Sequence, residues 1–441
     1  MPQFAGWSRF FPENRFPPLG KRSKEAPGPL LPGGSRRKAF VKNISTRLGF
    51  SQASSGMTAG VFLPFFGAWL AWRGLPADRI GLLLSLSLLL RALAGPIGGV
   101  VADARNDRRA VMLVLYWIMF AGFAALCVVT APAAIFFTAV IAYAAYGAAT
   151  PLLESVCVRL SERYGFDYGR VRIWASTAFV AMNVAGGITT RWFGIGTAAP
   201  WLAAAAGLCV TSTLMLPAPP AAHPRGTLMP RLKATLAEAH ELVRSPVFLV
   251  FLAASSFEQA SHAFYYAYGG LHWRALGYSS LLIGVIWPLG VLAEITLFSQ
   301  ALRVLRAFGP SKLVFLGAFV CLVRWTILAF DPPLPLVILA QFLHGGTFAA
   351  AHLGAVFFVL RAVPPRLAAT AQSLYFVASQ GVMMGLATLA AGSVYTALGG
   401  RAYLLMSVLG AVAMGLALVL SRLWHGERIL AGAHDERVDT I

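Results

Sequence analysis

Charge is what this sequence of 441 residues has least of: Asp, Glu, Lys and Arg make up 12% of it, against 58% hydrophobic residues and a mean hydropathy of +0.68. A water-soluble domain is roughly 45–50% apolar and about 25% charged, so water is the wrong solvent for this chain. Acidic residues are scarcer than basic ones, 17 against 36, for a formal charge of +19. In a soluble protein that excess would suggest nucleic acid. Here the Lys and Arg sit in short connections between apolar runs, where they set membrane topology, and no nucleic-acid partner is expected. The four cysteines (Cys127, Cys157, Cys209, Cys321) lie inside apolar runs without the spacing of a zinc site or disulfide framework, and read as small packing residues. His-Glu-x-x-His, Gly-x-Ser-Gly and paired intramembrane aspartates are all missing, which leaves an intramembrane enzyme without a catalytic motif.

What is present is a series of apolar runs of about 20 residues, the length a helix needs to cross hydrocarbon. Breakers divide them into spans near 46–71, 79–102, 110–130, 133–158, 171–190 and 197–216, then 247–271, 281–302, 312–330, 334–360, 370–397 and 401–423. Residues 1–44 are rich in Pro, Gly, Lys and Arg, without the apolar run of a signal peptide, and are expected to be a disordered cytoplasmic tail or sequence upstream of the true start. Residues 217–246 open with Pro217, Pro219, Pro220 and Pro224 and continue as an amphipathic basic stretch, the pattern of a linker between two halves. One side of the predicted topology carries only Arg73, Arg79, Arg191, Arg274 and Arg401, so the other side, with both termini, is expected to be cytoplasmic. The halves resemble each other. Trp72-Arg73-Gly74-Leu75 precedes span 2 as Trp273-Arg274-Ala275-Leu276 precedes span 8, an offset of 201, and an offset of 203 sets Arg91 opposite Glu294. Duplicated halves with a site between them are the build of many secondary transporters.

Several charges fall where hydrocarbon should be. Arg91 precedes Asp103 by roughly 18 Å of helix at 1.5 Å per residue, which places it mid-membrane. Glu154 and Arg172 flank the turn near 161–168 and, on antiparallel helices, can share a depth and pair. Glu258 and His262 lie in span 7, Glu294 in span 8, Arg324 in span 9, His344 and His352 in span 10. A charge at the bilayer centre costs from about 2.5 to more than 10 kcal/mol, so each must face the bundle interior with a partner. One such residue is ordinarily a structural interhelical contact; a set spread over both halves suits a polar cavity with alternating access. His344 and His352 are a little over two turns apart, on roughly one face with Gln341 and Thr347, and histidine beside a carboxylate such as Glu294 suits a proton carrier. Neutral hydrogen bonding is the other reading of His352. Aromatic residues (Phe179, Tyr265, Tyr266, Trp287, Trp325) accompany the charges. Most such stripes pack or anchor, but those facing a cavity beside arginines suit a ligand with one carboxylate and a ring.

The run Gly99-Val100-Val101-Ala102-Asp103-Ala104-Arg105-Asn106-Asp107-Arg108-Arg109 resembles the signature between spans 2 and 3 of the major facilitator superfamily, with Asn106 where Gly is usual and one extra residue before Arg108. The resemblance implies that Gly99, Asp103, Arg105, Arg108 and Arg109 form a hinge and charge latch. Glu154 and Arg172, with Phe179 in the place of a sugar-stacking indole, resemble the sugar-binding pair of the lactose-permease branch, and Glu294, Arg324 and His344 resemble buried residues of its second half. Gln341 and Thr347 stand where those carriers have a lysine and a proton-carrying glutamate, which points away from sugar. From about residue 47 to 420 the chain is more similar to the phenylpropionate permeases of the superfamily. That likeness is carried by Gly81 to Gly99 with Arg91, Asp167 to Phe179, Gln259 to Tyr266, Gly290 to Glu294, Val323-Arg324-Trp325, and Gln341-Phe342-Leu343-His344 with Thr347, Phe348 and His352.

The expectation is an all-α membrane protein of twelve transmembrane helices: a tail 1–44, a six-helix bundle 45–216, a linker 217–246, a second bundle 247–424 and a tail 425–441. It is expected to act as a monomer in the inner membrane, taking up an aromatic carboxylic acid such as 3-phenylpropionate by alternating access. Its partners would be the lipid bilayer and a small organic anion, with the proton as coupling ion and no other cofactor or metal. Arg91 with Arg172 or Arg324 would hold the carboxylate, and Glu154, Phe179, His262, Tyr265 and Tyr266 would complete the substrate site. Glu294, His344 and His352 would couple protons. Sugar or nucleoside symport, drug efflux and a non-transporting sensor are the rival readings.

Overall fold

The computed structural model describes residues 35–105, 107–217 and 228–430, and the regular structure in them is helical throughout. Ten stretches are long and apolar enough to cross a membrane. One of them, Ala368–Leu423, is 56 residues long and is broken at Gly399, whose φ of 56° ends the helix Met384–Leu398 before Tyr403–Leu423 begins. The helical run Ser35–Val61, Phe62–Phe66 and Gly67–Trp72 is not among the ten, because its inner face carries Ser51, Gln52, Ser54, Ser55 and Thr58. Dividing the long stretch and adding this polar-faced helix would give the expected twelve spans, and their numbering is kept below.

The bundle is the reverse of a soluble protein. Leu93, Ile97, Phe137 and Trp192 are exposed on the outside, while Arg172, Glu258, His262 and Arg324 are at most 2% exposed. Lipid solvates the first group; the second must find partners within the protein. Three of the cysteines are buried as expected, but Cys127 is exposed, because span 3 ends at Leu126 and leaves it in the following turn.

Boundaries differ from the sequence reading at both ends. The first helix begins at Ser35, so residues 35–44 extend span 1 instead of belonging to a disordered tail; the expectation for 1–34 lies outside the described residues. At the other end Ile429 donates its N–H to Ala362 O (2.7 Å) and, with Trp424, packs against Phe358, so the start of the expected tail is anchored to the end of span 10. In the linker, Leu228–Val243 is helical and its Glu241 pairs with Arg366 (2.8 Å). The Arg366 guanidinium holds the Glu241 carboxyl below its usual range. A depressed carboxyl adds stability above its ordinary value and loses it as pH falls. Both side chains are more than a third exposed, so the pair contributes under about 1 kcal/mol.

Small residues let backbones approach. In the first bundle, a Cβ on Gly56 would lie 2.1 Å from Ala175 O, and one on Gly60 would lie 2.7 Å from Phe179 O, so spans 1 and 5 pack in direct backbone contact. Between the bundles the same device closes one end. A Cβ on Gly270 would meet Pro64 O at 1.9 Å, on Gly284 Asn183 O at 2.3 Å, and on Gly67 Ala267 O at 2.4 Å. Tyr268 donates its hydroxyl to Ala77 O (2.6 Å) across the same seam. These contacts join spans 1, 2 and 5 to spans 7 and 8 at the face remote from the linker. At the linker face, among the described residues, spans 4 and 10 do not pack on each other as spans 5 and 8 do. Among the described residues the bundles are thus most closely joined at the face remote from the linker.

Two outcomes follow from these contacts. Gly270→Val, placing side-chain carbon where Pro64 O lies, should disfavour the sealed state by ~10²-fold or more, for a clash worth a few kcal/mol. The readout is faster labelling of Ser280→Cys by an impermeant thiol reagent, with transport lost. Arg366→Ala should leave thermal stability unchanged within about 1 kcal/mol at neutral pH, as expected for an exposed ion pair.

Candidate functional site

The interior polar residues gather into two chambers that share Phe179. The first, about 280 Å³, lies within the amino-terminal bundle and is lined by Gln52, Tyr146, Thr150, Glu154, Arg172 and Phe179. Arg172 Nε lies 3.0 Å from Glu154 Oε1, the pair expected from their places around the turn. That turn is shaped by Gly165 (φ 73°) at the end of Pro132–Tyr164 and by Asp167, whose side chain accepts the Gly169 N–H at the start of Tyr168–Phe193. Glu154 Oε2 accepts from the Tyr168 hydroxyl (2.5 Å) and from Gln52 Nε2 (3.3 Å). The pair is therefore neutral as a unit, with the second carboxylate oxygen hydrogen-bonded twice. Gln52 and Tyr168 are not singled out as site residues from the sequence, since neither carries charge, and Gln52 is 102 positions from Glu154.

The second chamber, about 380 Å³, lies on the carboxy-terminal side and is lined by Leu63, Phe179, Tyr265, Tyr266, Trp287, Val291, Glu294, His344 and Phe348. Tyr265 stacks on Trp287 with centroids 4.4 Å apart, giving a flat aromatic wall. Behind that wall Arg324 is wholly buried, 4.9 Å from the Tyr265 centroid and 4.3 Å from that of Trp325. Its Nη1 lies 2.7 Å from His344 Nδ1 and 3.2 Å from Thr347 Oγ1, and its Nη2 lies 3.5 Å from Gln341 Oε1. His344 Nε2 lies 2.8 Å from Glu294 Oε1.

This geometry fixes a tautomer. A guanidinium only donates, so His344 Nδ1 must accept, the ring proton sits on Nε2, and Nε2–H is donated to Glu294. Arg324, His344 and Glu294 form a relay in which a neutral imidazole separates a cation from a carboxylate. Glu294 Oε2 has no protein partner among the described residues, and the side chain borders the chamber. Protonation of His344 would set an N–H against the Arg324 guanidinium, whereas Glu294 can take a proton without that conflict. Of the three residues expected to couple protons, Glu294 and His344 are thus brought together at the edge of the second chamber.

Other predicted residues are placed differently. His262 does not border the chamber; it lies one layer behind, Nε2 3.0 Å from Thr347 Oγ1, at the break between Pro246–Ala260 and Ala263–Ala275. His352 is apart from the relay, stacked on Phe348 and 3.3 Å from the Tyr375 hydroxyl. The cause is the π-helical segment Gly345–Ala350, which changes the phase of span 10 between the two histidines. Arg91 borders neither chamber. It lies at the seam, where it donates to the backbone carbonyl of Gln380 in span 11, and its stem packs where Gly147 of span 4 lacks a side chain. In the loop after span 2, Arg109 donates to Thr213 O (3.1 Å) and Leu214 O (2.7 Å), closing the end of span 6, and Asp107 caps Arg108–Leu126. A Cβ on Gly99 would meet nothing within 4 Å among the described residues, and Arg105 is exposed; the Asp103 side chain lies outside the described residues.

Comparison with known proteins agrees with this architecture. The family profile described as "MFS_1 like family" matches residues 57–405. The chain is 28% identical over 366 residues to the probable 3-phenylpropionic acid transporter of Escherichia coli (strain K12), covering 81% of this chain and 93% of that protein. It is 27% identical over 375 residues to the maltose permease of Geobacillus stearothermophilus, covering 82% and 91%. Among solved structures it superposes on a point mutant of the nucleoside transporter NupG with a TM-score of 0.75 at 19% identity, covering 87% of this chain and all of that one. These are transporters and not enzymes, and a match over most of the chain places it with them. The chain is a multi-pass membrane transporter of the MFS_1 like family, within the major facilitator superfamily.

Proposed function

We propose that this transporter takes up an aromatic monocarboxylate, 3-phenylpropionate or a close relative, together with protons across the inner membrane, with both termini cytoplasmic. The observation that carries the reading is the relay beneath an aromatic wall: Arg324 fixes His344, and His344 offers one N–H to Glu294 at the edge of a chamber lined by Tyr265, Trp287 and Phe179. With Glu294 ionised, the relay is internally neutral. With Glu294 protonated, the His344 N–H is released from its carboxylate and the Arg324 charge is unbalanced, so the chamber attracts an anion. A substrate carboxylate can then replace Glu294 on His344 Nε2 while its ring lies against the aromatic residues. Proton and anion thus favour each other's binding, which is the requirement for symport. The name of the Escherichia coli relative supports the substrate class.

In this reading Arg172 and Glu154 are a fixed, mutually neutral pair beside the shared space at Phe179. Arg91 acts at the seam and not on the carboxylate. Sugar or nucleoside transport is the second reading, favoured by the hydrogen-bonding group of Gln52, Tyr168 and Glu154 around the first chamber.

The deciding experiment is uptake by proteoliposomes with 3-phenylpropionate, cinnamate, maltose and uridine as competitors. Accumulation of 3-phenylpropionate should rise as the outside is made more acidic than the inside, and a protonophore should abolish it. Competition by maltose or uridine but not cinnamate would contradict the aromatic-acid reading. Glu294→Gln, permanently neutral at that position, should lose at least about tenfold of the gradient-driven accumulation, with the remainder insensitive to protonophore. Arg324→Gln removes the donor that sets the His344 tautomer and should cost about 10²-fold or more in transport, as for breaking a buried charged contact.

A further inference from the structure

Glu258 is the buried carboxyl that this relay leaves unused. It is 1% exposed, in the last turn of Pro246–Ala260. Gln259 Nε2 donates to its Oε2 (2.7 Å) and the Cys321 thiol approaches its Oε1 (3.5 Å). Among the described residues, no Arg, Lys or His lies within ion-pair distance of it. The groups around it are known from every side. Its own span presents His262 and Tyr266; span 9 presents Cys321 and Arg324; span 11 presents Tyr375. Arg324 turns to His344, Thr347 and Gln341 instead, and His352 of span 10 turns to Tyr375. Span 12 packs beside Cys321 with Gly410, and the linker glutamates Glu238 and Glu241 are held by Thr370 and Arg366. Glu258, His262 and Cys321 lie within 4.8 Å of one another, but they are not free to hold a metal ion. Both His262 nitrogens are engaged, by Gln259 O and Thr347 Oγ1, and the Arg324 charge is close by.

A carboxylate so enclosed would be an uncompensated anion in a medium of low dielectric; as a neutral acid it is accommodated. Its hydrogen-bond chain then leads elsewhere. Gln259 Oε1 accepts from Gln380 Nε2 (2.6 Å), and the Gln380 backbone carbonyl accepts from Arg91 of the other bundle. Gln380 lies in the π-helical segment Val377–Met383. The chain Glu258–Gln259–Gln380–Arg91 therefore crosses the seam between spans 11 and 2.

We propose that Glu258 is a second proton-binding site, neutral in the sealed conformation, and that loss of its proton is communicated through Gln259 and Gln380 to Arg91, loosening the seam. An ionised Glu258 competes for the amide donors of the chain and draws positive charge, and the only cation on that chain is Arg91, whose bond to Gln380 helps hold the bundles together. This rests on the proton-coupled reading above but does not depend on which anion is carried.

Infrared difference spectroscopy of the full chain in lipid vesicles, titrated from about pH 5 to about pH 9 without substrate, covers the range in which buried carboxyls are known to change state. The protonated-carboxyl band that persists in Glu294→Gln should be missing in Glu258→Gln. In Gln259→Leu, which retains Glu258, the band should move to higher frequency as the carbonyl loses its amide donor. Spectra unaltered by both the Glu258 and the Gln259 substitutions would mean an ionised Glu258 and overturn the proposal. In a Ser280→Cys background, thiol labelling at the seam should quicken as pH rises, and that dependence should vanish with Glu258→Gln; its persistence would overturn the link to Arg91. An intact band with no 3-phenylpropionate uptake would count against the substrate reading alone.

Discussion

The cost of a bare ion in hydrocarbon organises this molecule. An ion stripped of water must be matched by an opposite charge or by several hydrogen bonds, or the segment bearing it will not stay in the membrane. The chain meets the requirement once in each bundle. Arg172 and Glu154 form a direct pair whose outer oxygen is held by Tyr168 and Gln52. Arg324 and Glu294 are matched through His344. The two units face a common region at Phe179, one with both carboxylate oxygens engaged by protein groups, the other with a carboxylate oxygen still unpartnered by protein among the described residues. That inequality separates a structural pair from a responsive one, because only the second can exchange its anion for another without leaving a charge bare.

Helix irregularities sit where this chemistry is. Span 1 turns π-helical around Pro64, whose ring nitrogen has no hydrogen to donate, and the carbonyl of that proline lies against Gly270 in the seam. Span 10 is π-helical from Gly345 to Ala350, between the relay and His352, and span 11 from Val377 to Met383, where Gln380 meets Arg91. Segments of this kind recur at functional sites because they free backbone groups and redirect side chains. Here they adjoin the Arg324–His344–Glu294 relay and the contacts between the bundles.

Much of this architecture is legible in the amino-acid sequence, for identifiable reasons. The pairing of Glu154 with Arg172 can be foreseen because a short turn between antiparallel helices fixes their relative depth. Burial of Arg324, Glu294 and His344 can be foreseen because charge at mid-span has nowhere else to go. The phase of His352 cannot, since the π segment violates the regular 3.6-residue period on which any sequence reading of a helix face rests. Arg91 reads as a substrate residue because an arginine in hydrocarbon suggests an anion, but a backbone carbonyl from the other bundle satisfies it instead. The chain from Glu258 to Arg91 runs through two glutamines, which are neutral and separated by more than a hundred positions in sequence. That residues 35–44 are helical is not legible either, because a hydropathy reading marks apolar spans and not polar helical extensions of them.

The central claim is that His344 is a neutral imidazole, protonated on Nε2, held between a permanent cation and a carboxyl that takes the proton. Nitrogen-15 magnetic resonance of histidine-labelled protein in lipid, with His344 assigned by its absence in His344→Gln, measures that state directly. The account predicts a neutral ring with the hydrogen on Nε2 across the pH range in which transport operates. An imidazolium, or a ring carrying its hydrogen on Nδ1, would contradict it.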